Sequence, residues 1–214
     1  ERILREMIGK AYPNDAILGE EEGATGSSDD QWIIDPIDGT KSFICGVPLY
    51  GTLLSFERAG ETQIGIAYMP ALDWMVYAEK GQGTFSNGRK ASVSNRADIE
   101  GSIICCGGHK HMRLRKKAEA IDRIAERAMA TRTWMDVYGY CLVASGQVDA
   151  MIDPAVAYWD LSAVSLIIEE AGGLFTNHQG RPWREGHEEG TYESCGANPV
   201  LHPKLIVELQ RSTY

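Results

Sequence analysis

Residues 32–43 are the stretch that most restricts how this chain can fold and what it can bind. They begin with an apolar run, residues 32–34, which is typical of a strand that is buried on both faces. Asp35 ends this run, and Pro36 has no amide hydrogen to donate, so we expect strand pairing to stop there. Asp38 follows three residues after Asp35, close enough for the two carboxylates to share one small volume. The stretch therefore predicts an acidic pair at the end of a buried strand.

The residue types in this stretch suit a cation beside a phosphate group. Two adjacent carboxylates repel each other, which raises the pKa of one of them unless a cation neutralises the pair. Carboxylate oxygens favour Mg²⁺, Mn²⁺ or Ca²⁺ over zinc. Gly39 and Thr40 open the next segment, where free backbone amides can hold a phosphate. The alternative that these few residues leave open is an ordinary acidic β-turn containing Asp38 and Gly39.

Extended segments dominate the sequence between residues 50 and 91. Apolar or aromatic stretches at 50–57, 62–68 and 74–78 alternate with turn residues. Asn87-Gly88 favours a two-residue hairpin turn. We therefore expect a large, mostly antiparallel sheet in residues 1–100, the half of the chain that carries the acidic pair.

Helices and strands alternate in residues 101–214. Apolar residues spaced by three and four from Leu114 to Ala128 predict a single helix, and Gly172-Gly173 ends a strongly apolar helix predicted at 162–171. Short strands are predicted between these helices and form a smaller mixed sheet. The fold class is therefore α/β with alternating helix and sheet layers, an αβαβα sandwich in which the two halves form one functional unit.

Charge and composition restrict the partners and the compartment. The chain has 214 residues and a formal net charge of -9, which argues against a nucleic acid polymer but not against a small phosphorylated metabolite, because bound cations would reverse the local field. No apolar run approaches the ~20 residues that span a bilayer, and no secretory signal is visible, so we expect no membrane association. Five cysteines, an odd number without metal-site spacing, favour a reducing, cytoplasmic location.

Two further acidic positions belong with the pair. Glu20 lies in an acidic run that follows a short predicted strand, and Asp160 lies at the start of the apolar helix. A solvated loop is the alternative for Glu20, and a helix N-cap is the alternative for Asp160. Taken together with Asp35 and Asp38, the two residues could complete an oxygen-only cage for two or more Mg²⁺ ions.

The combination of motifs is more selective than any one of them. Gly19-Glu20-Glu21, residues 32–40, Trp159-Asp160 and Ala171-Gly172-Gly173 together resemble the inositol monophosphatase superfamily of Mg²⁺-dependent phosphatases, over almost the whole chain. The resemblance implies two or three Mg²⁺ ions, for which Mn²⁺ can substitute. The metal ligands that it implies are Glu20, Asp35, Asp38, Asp160 and the backbone carbonyl of Ile37.

The resemblance also implies how the reaction would run. Gly39 and Thr40 would bind the phosphate through their backbone amides, and the catalytic residues would be Glu20, Asp38 and Thr40. Thr40 and Glu20 would orient a metal-activated water for direct in-line attack on phosphorus. No serine, cysteine or histidine nucleophile with a partner base stands out in the sequence, so direct hydrolysis is preferred over a phosphoenzyme.

Substrate choice depends on fewer residues. Lys41-Ser42-Phe43, with the Asp-x-Tyr pattern at Asp136, resembles the histidinol-phosphate phosphatase branch. The predicted substrate-binding residues are Asp136, Asp153, Asp160 and Lys41, and the Asp136 carboxylate could pair with the ammonium of an amino-alcohol phosphate. A helix N-cap is the alternative for Asp136 and a turn residue for Asp153. Inositol monophosphate or another sugar or nucleotide phosphate is the alternative substrate, and a non-catalytic metal-binding scaffold is the alternative from another class.

Two features depart from the pattern of the family. Met135 stands where these enzymes usually have glycine, which would narrow the pocket or change the backbone path beside the substrate. The upstream family segment with its Thr-x-Ala-Asp motif, whose Asp helps to bind a further metal, does not precede Glu1, and we expect such a segment to be missing from the sequence. Since family members are commonly dimers, we also expect a homodimer.

Overall fold

The computed structural model describes residues 1–187 and 190–211. Its helices are α1 (Arg2–Ala11), α2 (Thr40–Ile44), α3 (His109–Leu114), α4 (Ala118–Arg127), α5 (Asp136–Ala144), α6 (Tyr158–Glu170) and α7 (His202–Gln210). Its strands are β1 (Ala16–Gly19), β2 (Gly23–Thr25), β3 (Asp30–Asp38), β4 (Gly51–Arg58), β5 (Glu61–Met69), β6 (Trp74–Glu79), β7 (Gly83–Ser86), β8 (Arg89–Ala91), β9 (Ile103–Cys106), β10 (Ala130–Arg132), β11 (Ala150–Val156), β12 (Leu174–Thr176) and β13 (Tyr192–Ala197).

The larger sheet has eight strands in the order β2-β1-β3-β4-β5-β6-β7-β8. Only β1 and β3 pair in parallel within it, and the remaining neighbours are antiparallel. Asn87 and Gly88 join β7 to β8 with φ angles of 44° and 76°, the left-handed geometry of a two-residue hairpin. The predicted large, mostly antiparallel sheet is confirmed.

β3 does not end at Pro36, so that prediction is wrong. Asp35 pairs with Leu53, the register shifts, and pairing resumes between Asp38 and Gly51. Pro36 lies in the irregular step, where its missing amide hydrogen breaks no ladder hydrogen bond. Because pairing resumes after the irregularity, the sheet fixes the backbone at both acidic residues.

The smaller sheet has five strands in the order β10-β9-β11-β13-β12. β10, β9 and β11 pair in parallel, whereas β13 pairs antiparallel with β11 and with β12. The mixed sheet predicted for the second half of the chain is therefore confirmed. Cys105 and Cys106 are both buried in β9, on opposite faces of this sheet.

The two sheets enclose α5 and α6, and the other long helices lie outside. On β4, Leu53 belongs to the core cluster that includes the buried faces of α5 and α6, whereas Leu54 packs on the opposite face in the cluster that contains Ile8 of α1. The outer face of the smaller sheet packs in a further cluster with α3, α4 and α7. This arrangement confirms the predicted alternation of helix and sheet layers. Among the described residues, no helix is long and apolar enough to cross a membrane.

The single helix predicted over residues 114–128 is wrong, because the chain forms α3 and α4 with a break between them. Lys116 adopts a left-handed conformation with φ 56°. Its amide donates to the Arg113 carbonyl at 3.0 Å, and the Lys117 amide donates to the Met112 carbonyl at 2.7 Å. These two hydrogen bonds form the Schellman arrangement that ends a helix. Leu114, the first residue of the predicted stripe, is consequently 68% exposed.

Candidate active site

A cavity of about 430 Å³ lies where the end of β3 meets the starts of α2, α5 and α6. Every site residue predicted from the sequence lines it, with the exception of Asp153. The lining residues are Glu20, Asp35, Ile37, Asp38, Gly39, Thr40, Lys41, Ser42, Thr133, Met135, Asp136 and Asp160. Residues from four separate parts of the sequence therefore meet in one cavity.

Three carboxylates form an acidic cluster at this cavity. Oxygen atoms of Asp35, Asp38 and Asp160 all lie within 4.8 Å of one another. Burial, followed by the neighbouring charges of Asp160 and Glu20, raises the pKa of Asp35 to about 9. Burial and the carboxylates of Asp160 and Asp35 raise the pKa of Asp38 well above its usual range. Burial likewise raises the pKa of Asp160 to about 6, although a hydrogen bond from the Ala157 amide opposes the shift.

The cluster has the donor set and the electrostatics of a divalent-cation site. Three carboxylates cannot all be ionised at this separation without a compensating positive charge, and burial together with neighbouring carboxylates raises the pKa values of Asp35 and Asp38. The donors are all oxygens, which hard cations such as Mg²⁺ prefer. Glu20 and Ile37 line the same cavity and could supply further oxygen donors.

Local backbone contacts hold two of these carboxylates in place. Asp35 Oδ1 accepts a hydrogen bond from the Ile37 amide at 3.0 Å, within the irregular end of β3. Asp160 Oδ2 accepts one from the Ala157 amide at 2.9 Å. α6 begins at Tyr158, four residues earlier than predicted, so Asp160 lies within its first turn and is not the N-cap residue. Its carboxylate still accepts a hydrogen bond from the amide of the N-cap residue, Ala157, which is one of the amides at the start of α6 that have no partner within the helix.

Gly39 and Thr40 follow the cluster directly and begin α2. Gly39 has φ 81°, and a Cβ at this position would lie 2.9 Å from the Leu49 carbonyl oxygen, so both the conformation and the close approach require glycine. The Thr40 hydroxyl donates to the Ile37 carbonyl at 3.0 Å. The turn is therefore held tightly against the end of β3.

Asp136 enters the cavity from the start of α5 in an uncommon conformation. Its φ is 59°, a left-handed value that non-glycine residues seldom adopt. The residue is the first of α5, whereas Met135 is the N-cap, so the N-cap alternative for Asp136 is wrong. Its Oδ2 lies 3.2 Å from the position of a Cβ on Gly39. Burial raises its pKa, and the positive charge of Lys41 opposes that shift.

Asp153 lies behind the cavity and does not line it. The residue is only 3% exposed and belongs to β11, so the alternative of a turn residue is wrong. Its Oδ1 lies 2.5 Å from the position that a Cβ on Gly107 would occupy, which shows how closely the backbone just after β9 approaches it. Burial raises its pKa well above the usual range, and the carboxylates of Asp136 and Asp160 add to this effect. Its predicted substrate contact stays a prediction.

One lining residue was missed by reasoning from the sequence. Thr133 contributes to the wall of the cavity next to Met135. It precedes Asp136 by three residues. No charge or glycine pattern distinguishes Thr133 from other surface threonines, so the sequence carried no signal for it beyond its closeness to Asp136.

The fold and the cavity define a class of protein with two sheets around central helices and, at the end of a buried strand, an acidic cluster whose oxygen donors suit a divalent cation. Comparison with known proteins agrees with this class. The inositol monophosphatase family matches residues 1–214. The chain therefore belongs to the inositol monophosphatase family, whose members are metal-dependent phosphatases.

Individual relatives carry several different names. A histidinol-phosphatase from Chlorobaculum parvum is 39% identical over 183 residues, which cover 85% of this chain and 70% of that protein. A Nus factor SuhB from Pasteurella multocida is 32% identical over 214 residues, which cover 98% of this chain and 77% of that protein. The solved structure of an IMPase from Thermotoga maritima has a TM-score of 0.84 at 29% identity, and the match covers 97% of this chain and 79% of that one.

Proposed function

We propose that this chain is a phosphomonoesterase that uses Mg²⁺ to hydrolyse L-histidinol phosphate to L-histidinol and phosphate. The observation that carries this proposal is the presence of Asp136 in the same cavity as the acidic cluster and the Gly39-Thr40 turn. A phosphate ester that also bears an ammonium group matches this distribution of charge. The histidinol-phosphatase named above supports the same choice of substrate.

Residues of the chain would hold two or three Mg²⁺ ions at the cavity wall. The donors would be the carboxylates of Asp35, Asp38 and Asp160, with the Glu20 carboxylate and the Ile37 carbonyl. When bound, the cations supply positive charge to the phosphate and make water a better nucleophile near neutral pH. Mn²⁺ would substitute because it accepts the same oxygen donors.

The Gly39-Thr40 turn would bind the phosphate group. Both residues line the cavity at the start of α2, where the first backbone amides of a helix have no partner within the helix. Such amides stabilise the charge on the equatorial phosphate oxygens. Glu20 and Thr40 would orient the attacking water, and Lys41, which also lines the cavity, would add positive charge near the phosphate.

Asp136 would select the alcohol part of the substrate. Its carboxylate is held beside Gly39, so an ammonium group placed there would lie close to the bound phosphate. An inositol ring has no cation to offer this carboxylate, so the charge-assisted hydrogen bond to an ammonium group would be lost. This difference is the physical basis for preferring histidinol phosphate to inositol monophosphate.

Two alternatives are supported by specific observations. Inositol monophosphate or another small sugar or nucleotide phosphate is favoured by the structural match to the IMPase of Thermotoga maritima. A non-catalytic metal-binding scaffold is favoured by Met135 in the cavity wall and by the similarity to a protein named as a Nus factor.

We also propose a homodimer, which sedimentation analysis of the purified chain would test.

One assay separates these possibilities. Phosphate release is measured from histidinol phosphate, inositol 1-phosphate and a 3'-phosphonucleotide, with and without Mg²⁺. We expect Mg²⁺-dependent release, with the highest kcat/KM for histidinol phosphate. A higher kcat/KM for either of the other esters would overturn the substrate, and no release from any ester would favour the scaffold.

A further inference from the structure

The buried carboxylate of Glu57 lies on β4 outside the cavity and has no role in the proposed chemistry. The Glu57 side chain is only 3% exposed. Its Oε2 accepts a hydrogen bond from the Tyr158 hydroxyl at 2.7 Å. Its Oε1 accepts hydrogen bonds from the Ser162 hydroxyl at 2.5 Å and from Arg184 Nη2 at 2.6 Å. Both carboxylate oxygens are therefore occupied by donors from other parts of the fold.

The donors on α6 lie on either side of Asp160 in the sequence. Tyr158 is two residues before Asp160, and Ser162 is two residues after it, so Glu57 contacts the helical turn that carries the cavity carboxylate. Since the Ser162 hydroxyl hydrogen is directed to Glu57, the Ser55 hydroxyl donates to Ser162 at 2.6 Å. β4 thus holds the start of α6 through two of its own residues. Hydrogen bonds are directional, so they fix the rotation of the helix more closely than apolar contacts would.

Arg184 supplies the positive charge that a buried carboxylate requires. Besides its contact with Glu57, its Nε donates to the Tyr158 hydroxyl at 3.2 Å. Its guanidinium lies 4.2 Å from the centre of the Trp183 ring, and the Trp183 side chain is buried. A buried ion pair with several hydrogen bonds adds little net stability but is costly to break from one side. Because separating Glu57 from Arg184 would leave a buried charge without its partner, the geometry of the pair is difficult to change.

We propose that Glu57 and Arg184 are positioning residues that fix the first turn of α6 and, through it, the carboxylate of Asp160. This inference rests on the proposed role of Asp160 as a cation ligand. Outer residues that orient a metal ligand often change metal affinity by 10-fold to 100-fold when they are replaced. The effect of this network is therefore expected on metal binding, with little effect on the substrate pocket itself.

The experiment compares Tyr158→Phe and Glu57→Gln with the unaltered chain. Tyr158→Phe removes only the hydroxyl that reaches Glu57. The matched control is Tyr68→Phe, which removes a hydroxyl that donates to the Asp73 carboxylate at 3.3 Å on the exposed side of the larger sheet. Calorimetric titration with Mn²⁺ or Mg²⁺ measures metal affinity without any need for turnover. Thermal unfolding followed by circular dichroism establishes that each variant is folded.

We expect metal affinity about 10-fold weaker in Tyr158→Phe and Glu57→Gln, and unchanged in Tyr68→Phe. At saturating Mg²⁺ the KM for the phosphate ester should stay within about a factor of two. Arg184→Lys, which keeps the charge but loses the paired donors, should recover part of the affinity lost in Arg184→Ala. Unchanged metal affinity in folded Tyr158→Phe and Glu57→Gln would overturn the inference.

The two proposals fail in different ways in this experiment. If the unaltered chain binds metal but releases no phosphate from any ester, the proposed function fails while the titration still decides the role of Glu57. If the unaltered chain hydrolyses phosphate and the variants bind metal as it does, the function stands and the positioning role is rejected.

Discussion

The Asp38 carboxylate accepts a hydrogen bond from the backbone amide of Val137 at 2.5 Å, across 99 positions of sequence. The bond connects the end of β3 to the start of α5, where the helix presents amides without partners. Asp38 therefore belongs to the acidic cluster and also fixes the helix start that carries Asp136. The part of the cavity proposed for the phosphate and the part proposed for the ammonium group are joined by a single side chain.

Asp35→Asn should abolish Mg²⁺-dependent turnover and leave the fold intact. Loss of one carboxylate ligand removes several kcal/mol of stabilisation from the transition state, on the order of a 10³-fold loss in kcat. In the absence of metal, the free energy of unfolding of the variant should be about 1 kcal/mol higher than that of the unaltered chain, because one of three repelling carboxylates is gone. Activity assays and urea unfolding measure the two effects.

The control for this variant is Asp30→Asn, which alters a surface carboxylate paired with Arg58 at 2.8 Å. Its turnover should equal that of the unaltered chain. If Asp35→Asn kept full activity, Asp35 could not be a cation ligand.

Asp136→Asn should reduce kcat/KM for histidinol phosphate by about 10-fold to 100-fold, which is the scale of a hydrogen bond to a charged group. Asparagine tolerates the left-handed conformation at φ 59°, whereas alanine would add backbone strain to the lost charge. The substitution therefore removes the charge of the carboxylate while it keeps the backbone conformation. Steady-state kinetics with histidinol phosphate and with an amine-free phosphate ester make the comparison.

The amine-free ester serves as the internal control, because its hydrolysis should change by less than about a factor of three. An equal loss on both esters would show that Asp136 supports the cavity in general and does not contact an ammonium group.

Local patterns in the sequence predicted the sheets and most of the cavity because the relevant signals are short. The run at residues 32–34, the glycine at Gly39 and the hairpin turn at Asn87 each act within a few residues. The break between α3 and α4 was missed because Lys116 takes a left-handed conformation that glycine usually provides. The periodicity across the break was therefore read as one helix.

Contacts between distant segments were not visible in the sequence. Glu57 meets Tyr158 across 101 positions and Arg184 across 127 positions, and no spacing rule connects them. The one signal in the sequence was a charged residue, Glu57, within the strand predicted at 50–57. A glutamate on the solvent-facing side of a strand gives the same pattern, so the sequence did not distinguish a buried Glu57 from an exposed one. Only the packing of α6 on the larger sheet shows that this position is buried.

Gly39→Ala should destabilise the chain by about 2–4 kcal/mol. A left-handed φ costs alanine about 1–2 kcal/mol, and the Cβ would also lie 2.9 Å from the Leu49 carbonyl oxygen, which belongs to rigid backbone. Gly60→Ala is the matched control, because Gly60 has φ 79° and no atom within 4 Å of the added Cβ. Urea unfolding of both variants separates the conformational cost from the clash, and equal losses would show that the close approach is unimportant.

His178 should make the chain less stable as the pH falls from about 6.5 towards 3. Burial lowers its pKa to about 3 in the folded chain, while the unfolded value is 6.5. Nε2 donates to the Ser194 carbonyl at 3.1 Å, and Nδ1 has no hydrogen-bond partner among the described residues. The positive charge of Lys117 lowers the pKa of His178 further, and the hydrogen bond to the Ser194 carbonyl opposes the shift without cancelling it.

The sign of this effect follows from proton binding. Above pH 6.5 the imidazole is neutral in both states and contributes nothing to the pH dependence. Between pH 6.5 and 3 the unfolded chain binds a proton that the folded chain does not, so stability falls by up to about 1.4 kcal/mol per pH unit. Below pH 3 both states bind the proton and the contribution levels off.

His178→Gln, which cannot titrate, should show a shallower loss of unfolding free energy between pH 6.5 and 4, whereas the exposed control His109→Gln should follow the unaltered chain. Parallel curves for His178→Gln and the unaltered chain in urea unfolding would show that His178 is protonated in the folded state.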